Sequence, residues 1–366
     1  MIVPNKKNKI ALIGYRLAGG GSDKVMANLS IFFERQGFEV EVVIVLDEVA
    51  FPYSGKLVNL GLLKNKKNGF FNKAKRLLAL RKYLQENKFD FIIDFRFRTK
   101  VVQELILARL IYNTKTIFTV HSSLIDHYMP NNSWLTRLMY NHCYANVAIT
   151  NEMKTLIQTK HKLKNVIMIP NLIYLDEILQ KQNEKIDFDF DFIIAVGQYE
   201  NEVKQFDKLI SSYAKSNLRE KKIHLAIVGN GDESKLKKVI FESNIGDFVH
   251  LLGYQNNPFK YVSKAKFLVL SSKNEGFPNV ILEALACRTP VISFDCDFGP
   301  RDLIINLENG ILVENQNWRK FTEALNLFVS DEVLYQKCKE SSLKSILDFS
   351  LERIGEKWIK LMISNG

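Results

Sequence analysis

Residues 267–287 read Phe267-Leu268-Val269-Leu270-Ser271-Ser272-Lys273-Asn274-Glu275-Gly276-Phe277-Pro278-Asn279-Val280-Ile281-Leu282-Glu283-Ala284-Leu285-Ala286-Cys287. A continuous apolar run gives way to a polar loop holding one glycine, and then to a helix-forming stretch. Runs that are apolar throughout, rather than at alternate positions, are those of parallel strands covered on both faces. The same order of run, turn and helical stretch recurs along the chain. Strands are predicted at 10–15, 40–46, 89–94, 116–121, 147–150 and 166–170. A second set is predicted at 192–197, 225–229, 249–253, 267–271, 291–294 and 311–313. Helices are predicted between them, at 22–36, 72–87, 204–215 and 278–287 among others. That alternation defines an α/β fold of doubly wound parallel sheets, which bind ligands at the carboxyl ends of their strands.

A polar, charged stretch at 172–191 separates the two sets of units, so two Rossmann-like domains facing a cleft are expected. Their bounds are placed at 1–175 and 186–348, with a last amphipathic helix at 349–366 that either caps the second domain or crosses back to the first. A chain of 366 residues accommodates two such domains. Its 46% hydrophobic and 25% charged residues suit cores of that size. No run approaches the ~20 apolar residues of a membrane span, and the apolar run at 10–14 is too short for a signal peptide. Cys143, Cys287, Cys296 and Cys338 are scattered, without metal-ligand spacing. A reduced, cytoplasmic protein without structural metal is expected.

The net charge of +11 sits in the first half: residues 1–180 hold 26 Lys and Arg against 14 Asp and Glu, and the remainder 25 against 26. No acid occurs from Val49 to Gln85. There Lys64, Lys66, Lys67, Lys73, Lys75, Arg76, Arg81 and Lys82 interleave with Phe70, Phe71, Leu77, Leu78 and Leu80. This pattern suits an anionic membrane surface; a solvated basic helix is the plain alternative. Nucleic acid is not the expected partner, because no known binding module accompanies the charge.

In the opening stretch, Pro278 suits a first helical turn and Gly276 lets a ligand approach the backbone. Amides from Phe277 through Asn279 to Val280 then make an anion site. Glu275 in the loop and Glu283 on the helix are set along one ligand, Glu283 suiting a ribose diol. A loop glutamate with an unrelated helix-surface glutamate is the alternative. Between the first strand and helix, Leu17-Ala18-Gly19-Gly20-Gly21-Ser22 offers Gly20 and Gly21 for close approach to phosphate or sugar, or else a simple flexible turn. It is not G-x-G-x-x-G, so a nicotinamide cofactor is not expected.

Glu275 and Glu283, with seven residues between them in E-G-F-P-N-V-I-L-E, match the E-x7-E signature of glycosyltransferase family 4, and the chain resembles that family over nearly its whole length. The resemblance implies the GT-B architecture, a nucleotide-sugar donor held mainly by the second domain, and transfer with retention, without a cofactor or metal. Ala195-Val196-Gly197-Gln198 and the run from Lys204 to Ile210 are similar to the family's diphosphate-binding segment. Gln198 stands where an arginine is usual, which leaves Lys204 as the cation.

His121 corresponds to a histidine that faces the donor sugar across the cleft, where it is expected to donate a hydrogen bond. His127 is a possible acceptor contact. Leu252-Gly253-Tyr254 is similar to the stretch against the base, placing Tyr254 there or on the rim. Asp295-Cys296-Asp297-Phe298-Gly299-Pro300-Arg301 resembles a variant in bacterial enzymes that build surface polysaccharides. It implies a UDP-hexose donor, galactose or N-acetylgalactosamine. With the basic 64–82 segment, this leads to an acceptor saccharide on a lipid diphosphate and a peripheral place on the inner membrane face. A glycoside hydrolase using a carboxylate pair, and a basic nucleic-acid-binding protein, are the alternatives.

Overall fold

The computed structural model describes residues 8–64, 69–200 and 202–363, with the backbone alone at Phe70. The chain divides into two compact units, Met1–Leu172 with Leu351–Gly366, and Ile173–Ser350.

The first unit is built on seven strands: β1 Lys9–Gly14, β2 Glu39–Ile44, β3 Lys56–Asn59, β4 Phe91–Asp94, β5 Lys115–Val120, β6 Ala145–Ala148 and β7 Val166–Met168. They are parallel throughout and ordered β3-β2-β1-β4-β5-β6-β7. Leu12 pairs with Val42 on one side and Ile93 on the other. Ile10, Ala11, Leu12 and Ile13 are fully buried, as the unbroken apolar run requires of a central strand covered on both faces. β3 is absent from the sequence reading. Its four residues, Lys-Leu-Val-Asn, form an edge strand too short and too polar to register as an apolar run.

The second unit has six parallel strands: β8 Phe192–Val196, β9 His224–Val228, β10 Val249–Gly253, β11 Leu268–Leu270, β12 Val291–Asp295 and β13 Gly310–Glu314. Their order is β10-β9-β8-β11-β12-β13. Counted from β8 this is 3-2-1-4-5-6, the dinucleotide-fold order, whose switch point lies between β8 and β11. The core is closed by helices with apolar residues at helical spacing. Phe206, Leu209, Ile210 and Tyr213 line one face of the helix Phe206–Ala214, and Phe321, Leu325 and Phe328 do so on Trp318–Ser330.

Two helix starts differ from expectation. The helix expected from 204 begins at Phe206, because Gln205 takes a left-handed conformation (φ 51°) that no helix interior allows. Pro278, expected in a first turn, is instead the residue before the helix Asn279–Ala286, with extended backbone (ψ 92°). Its carbonyl accepts the Ile281 N–H at 2.9 Å.

After the second unit the chain returns to the first as the helix Leu351–Ile363. Gly355 lets this helix press against Phe32 on the helix Gly21–Arg35, where any Cβ would overlap the ring. Trp358 is buried with its ring 6.4 Å from Phe95. The Tyr144 hydroxyl donates to the Leu361 and Met362 carbonyls at 3.0 and 3.2 Å.

Candidate functional site

In the second unit the loops leaving β8 and β11 diverge at the switch point, and two side chains meet there. Lys204 Nζ lies 2.7 Å from Glu275 Oε1, both side chains mostly buried. The backbone around them is fixed from both loops. Ser271 Oγ donates to the Lys204 carbonyl at 2.6 Å, and the Lys273 N–H to the Val203 carbonyl at 2.8 Å. Gly197 completes the fit: a Cβ there would stand 3.2 Å from Lys204 Cγ and Cε and from Phe206 Cζ. The lysine stem therefore lies against bare backbone. Sequence reasoning gave Lys204 and Glu275 separate duties, and the structure joins them in one ion pair.

The Gly276-Phe277-Pro278 loop is backed by the loop after β12. Gly299 has φ 88°, and a Cβ on it would come 2.9 Å from the Gly276 carbonyl oxygen. Phe277 is buried, its ring 5.8 Å from Phe349. Asn279 and Val280 are half-buried in the first helical turn, and Glu283 is half-buried on the second. Cys296 is fully buried beside this loop. Burial, then the negative charge of Glu275, pushes its thiol up to about 12, so it stays protonated.

The ends of β8, β9 and β10 are laced together by groups that the sequence reading passed over. The Tyr199 hydroxyl donates to the Ile227 carbonyl at 3.0 Å and accepts the Gly253 N–H at 2.9 Å. The Gly229 N–H reaches the Gly253 carbonyl at 3.0 Å, and Gly229 packs so tightly on the Gly197 carbonyl that no side chain fits. Gly231, with φ 125°, follows. The Gly229-Asn230-Gly231 turn directly after an apolar run was the available signal. Gln198 and Tyr254 are exposed at this rim, Tyr254 by 65%.

In the first unit, Gly19 has φ 87° and Gly20 is the extended residue before the helix that starts at Gly21. The Gly20 N–H donates to Asp23 Oδ2 at 3.3 Å, and Arg16 Nε stands 3.5 Å from the same carboxyl. Burial pushes Asp23 up to about 6, against the pull of Gly20 and Arg16. Asp23 was not singled out from the sequence; an acid at the third position of a helix reads first as a cap.

His121 follows β5 with Nδ1 3.1 Å from Asn171 Oδ1 and its ring stacked on Phe95 at 5.6 Å. Its Nε2 is buried without a partner. Burial lowers its pKa to about 4, so the ring is neutral near pH 7. Where Nδ1 donates to the Asn171 oxygen, Nε2 is left to accept a hydrogen bond. His127 is exposed, edge-on to Phe97 at 6.1 Å; its carbonyl takes the Arg98 N–H at 2.7 Å and its N–H donates to the Leu124 carbonyl at 3.0 Å.

In the basic segment, Lys66 and Lys67 lie outside the described residues, as does the side chain of Phe70. Leu80 turns out to be core, whereas Phe71 and Leu78 are exposed. Arg76 is half-buried and donates to the Val45 carbonyl at 2.9 Å. Among the described residues, no helix is long and apolar enough to cross a membrane, and no group of three or more His, Cys, Asp or Glu is placed to hold a metal ion.

The chain is similar to known proteins. The family described as "Glycosyl transferases group 1" matches residues 176–345, and "Glycosyltransferase Family 4" matches residues 19–177. An uncharacterised glycosyltransferase of Methanocaldococcus jannaschii is 30% identical over 81% of this chain and 79% of its own length. The N-acetylgalactosamine-N,N'-diacetylbacillosaminyl-diphospho-undecaprenol 4-alpha-N-acetylgalactosaminyltransferase of Campylobacter jejuni is 28% identical over 97% of this chain and 99% of its own. The structure of a mutant S. aureus TarM in complex with Fondaparinux, alpha-GlcNAc-glycerol and UDP superposes with a TM-score of 0.76 at 16% identity, covering 97% of this chain and 100% of that one. Two parallel α/β sheets with these relatives define a glycosyltransferase of GT-B architecture. The chain belongs to glycosyltransferase family 4.

Proposed function

We propose that the protein transfers a hexosyl or N-acetylhexosaminyl group, galactose or N-acetylgalactosamine, from UDP, with retention, to a saccharide carried on a lipid diphosphate. The observation that carries this reading is the Lys204–Glu275 pair at the switch point of the second sheet. A cation there meets the diphosphate, and its carboxylate neighbour meets sugar hydroxyls. The Campylobacter relative's printed activity, on a diphospho-undecaprenol saccharide, supports the donor and acceptor classes. The basic 64–82 segment supports a peripheral place on the inner membrane face.

In the reaction, the acceptor hydroxyl oxygen bonds to the anomeric carbon on the face from which the phosphate oxygen departs. Its proton passes to that phosphate oxygen. Lys204 stabilises the negative charge growing on the leaving diphosphate, the largest catalytic term available. Glu275 and the Gly276 and Phe277 backbone orient the sugar, and Glu283 takes the ribose diol. His121 Nε2 accepts a hydrogen bond from a ligand hydroxyl, and Tyr254 lies by the base. No metal is assigned a role in these steps.

The test is calorimetric titration with UDP, UDP-galactose, UDP-N-acetylgalactosamine and UDP-glucose, repeated on Glu283→Ala. Micromolar UDP binding that collapses in the variant is expected. Absence of binding to UDP, with GDP or ADP binding in its place, overturns the donor assignment.

A further inference from the structure

The strand order of the first sheet, β3-β2-β1-β4-β5-β6-β7, reverses between β1 and β4, so this sheet has a switch point of its own. Phe97 stands there, in the loop that leaves β4. From the loop that leaves β1, the Tyr15 hydroxyl crosses the gap and donates to the Phe97 carbonyl at 3.0 Å. Both neighbours of Phe97 turn inward. Arg96 is buried, with Nε and Nη2 on the Asp94 carboxylate at 3.1 and 2.7 Å and Nη2 on Glu104 Oε2 at 2.9 Å. Arg98 is buried too, with Nε on the Tyr128 carbonyl at 3.0 Å, Nη1 on the Arg96 carbonyl at 3.2 Å and Nη2 on the Thr119 carbonyl at 2.9 Å. Its N–H holds the His127 carbonyl at 2.7 Å.

Between these anchors the Phe97 side chain is left 41% exposed. The buried Tyr128 ring backs it at 5.0 Å, and the exposed His127 ring stands at 81° to it, 6.1 Å away. The same loop carries Phe95, which stacks on His121. A lone exposed phenylalanine needs no explanation. One whose backbone is tied to the loops after β1 and β5, at the place where a parallel sheet takes its ligand, is a platform set in advance. Its π-face is negative and attracts groups of partial positive charge. The ring C–H groups of a pyranose are such groups, gathered on a flat apolar face while the hydroxyls project from the rim. The imidazole nitrogens of His127 are placed beside such a stack to bond those hydroxyls.

We propose that Phe97 is the platform on which a pyranose ring of the acceptor stacks, with His127 bonding hydroxyls at its edge. The proposal rests on the reading that the acceptor is a saccharide, and adds to it the side chain that holds the sugar face. Arg96 and Arg98 touch no sugar; buried on either side, they keep the ring at the surface.

The test is saturation-transfer NMR on the full chain, with methyl α-galactopyranoside, methyl α-N-acetylgalactosaminide and methyl α-glucopyranoside as probes. On wild-type protein at least one of them should receive saturation at adjoining C–H groups of one ring face. Phe97→Ala should raise its dissociation constant about tenfold, the weight of one aromatic stack. Phe97→Leu, which keeps apolar area without a π-face, should lose most of that binding too. Phe97→Tyr, which keeps the ring, should retain it. Thermal melting checks that each variant is folded. UDP titration should give the same affinity for every variant, because the residues proposed to hold UDP lie in the second unit. A one-faced signal that survives in Phe97→Ala, or is undiminished in Phe97→Leu, overturns the platform while leaving the saccharide acceptor standing. UDP affinity lost in step with the sugar places the ring on the donor and overturns the platform as well. A wild type that takes none of the probes overturns the platform and the saccharide acceptor together.

Discussion

At the scale of single residues, the Lys204–Glu275 pair makes a prediction that neither residue makes alone. A carboxylate 2.7 Å from the Lys204 ammonium competes with an arriving diphosphate for the same cation. Glu275→Gln removes the competitor and keeps the shape. UDP should then bind tighter by a few-fold, while kcat with the UDP-sugar falls about a hundredfold as an orienting contact is lost. Unchanged or weaker UDP binding in titration rules out the competition. His121 makes a different kind of prediction. Its folded pKa of about 4 lies below the ordinary 6.5, so at pH above 6.5 both states are neutral and nothing is lost. As pH falls from 6.5 through 4, the unfolded chain takes up a proton that the folded one refuses, and stability drains away by at most about 3 kcal/mol. In His121→Gln that part of the loss should vanish from the pH dependence of the urea-unfolding free energy. An identical pH profile would place the acid sensitivity elsewhere.

Elements depend on where backbone can touch side chain, and the helix Leu351–Ile363 shows this most sharply. Gly355 lies on Phe32 with no room for a Cβ, so Gly355→Ala overpacks a buried contact and should cost ~1–3 kcal/mol. Gly246→Ala, where nothing stands within 4 Å of the added carbon, is the control and should stay within ~0.5 kcal/mol. Equal melting temperatures for the two variants would show that the helix yields at Phe32. The same contrast explains what could be read in advance. Strands such as β1 and β8 were legible because both faces are buried, which leaves an unbroken apolar signature. β3 was not, because an edge strand of four residues carries no such run. Glu275, Gly276 and Lys204 were legible from local chemistry in glycine-bearing loops. Their pairing was not, since it joins residues 71 apart in the chain through two loops fixed to each other by backbone hydrogen bonds. Nor did the sequence show that Arg76 leaves the basic surface to hold Val45, or that Asn171 stands against His121 Nδ1.

At the scale of the whole molecule, the chain leaves the first unit after Leu172, builds the second, and comes back for its last helix. The first unit is thus completed by residues that follow the second, with Trp358 buried and Tyr144 bonded to two carbonyls of the returning helix. The residues proposed to hold the donor's diphosphate, sugar and ribose, Lys204, Glu275 and Glu283, all belong to the second unit. A stop after Ser350 therefore predicts an unequal outcome. Removing a buried Trp and its neighbours takes away more than the ~3–5 kcal/mol of a single large-to-small core change. Much of a unit's marginal stability goes with it. Hydrogen exchange in β1, β2, β4 and β5 should become fast, while β8 to β13 stay protected. UDP, which stabilises only what it binds, should raise the melting temperature of the protected part by a similar amount in both proteins. If the two sheets lost protection together, the units would be one cooperative body. The returning helix would then stabilise all of it, because the donor half could not hold its fold once the first had opened.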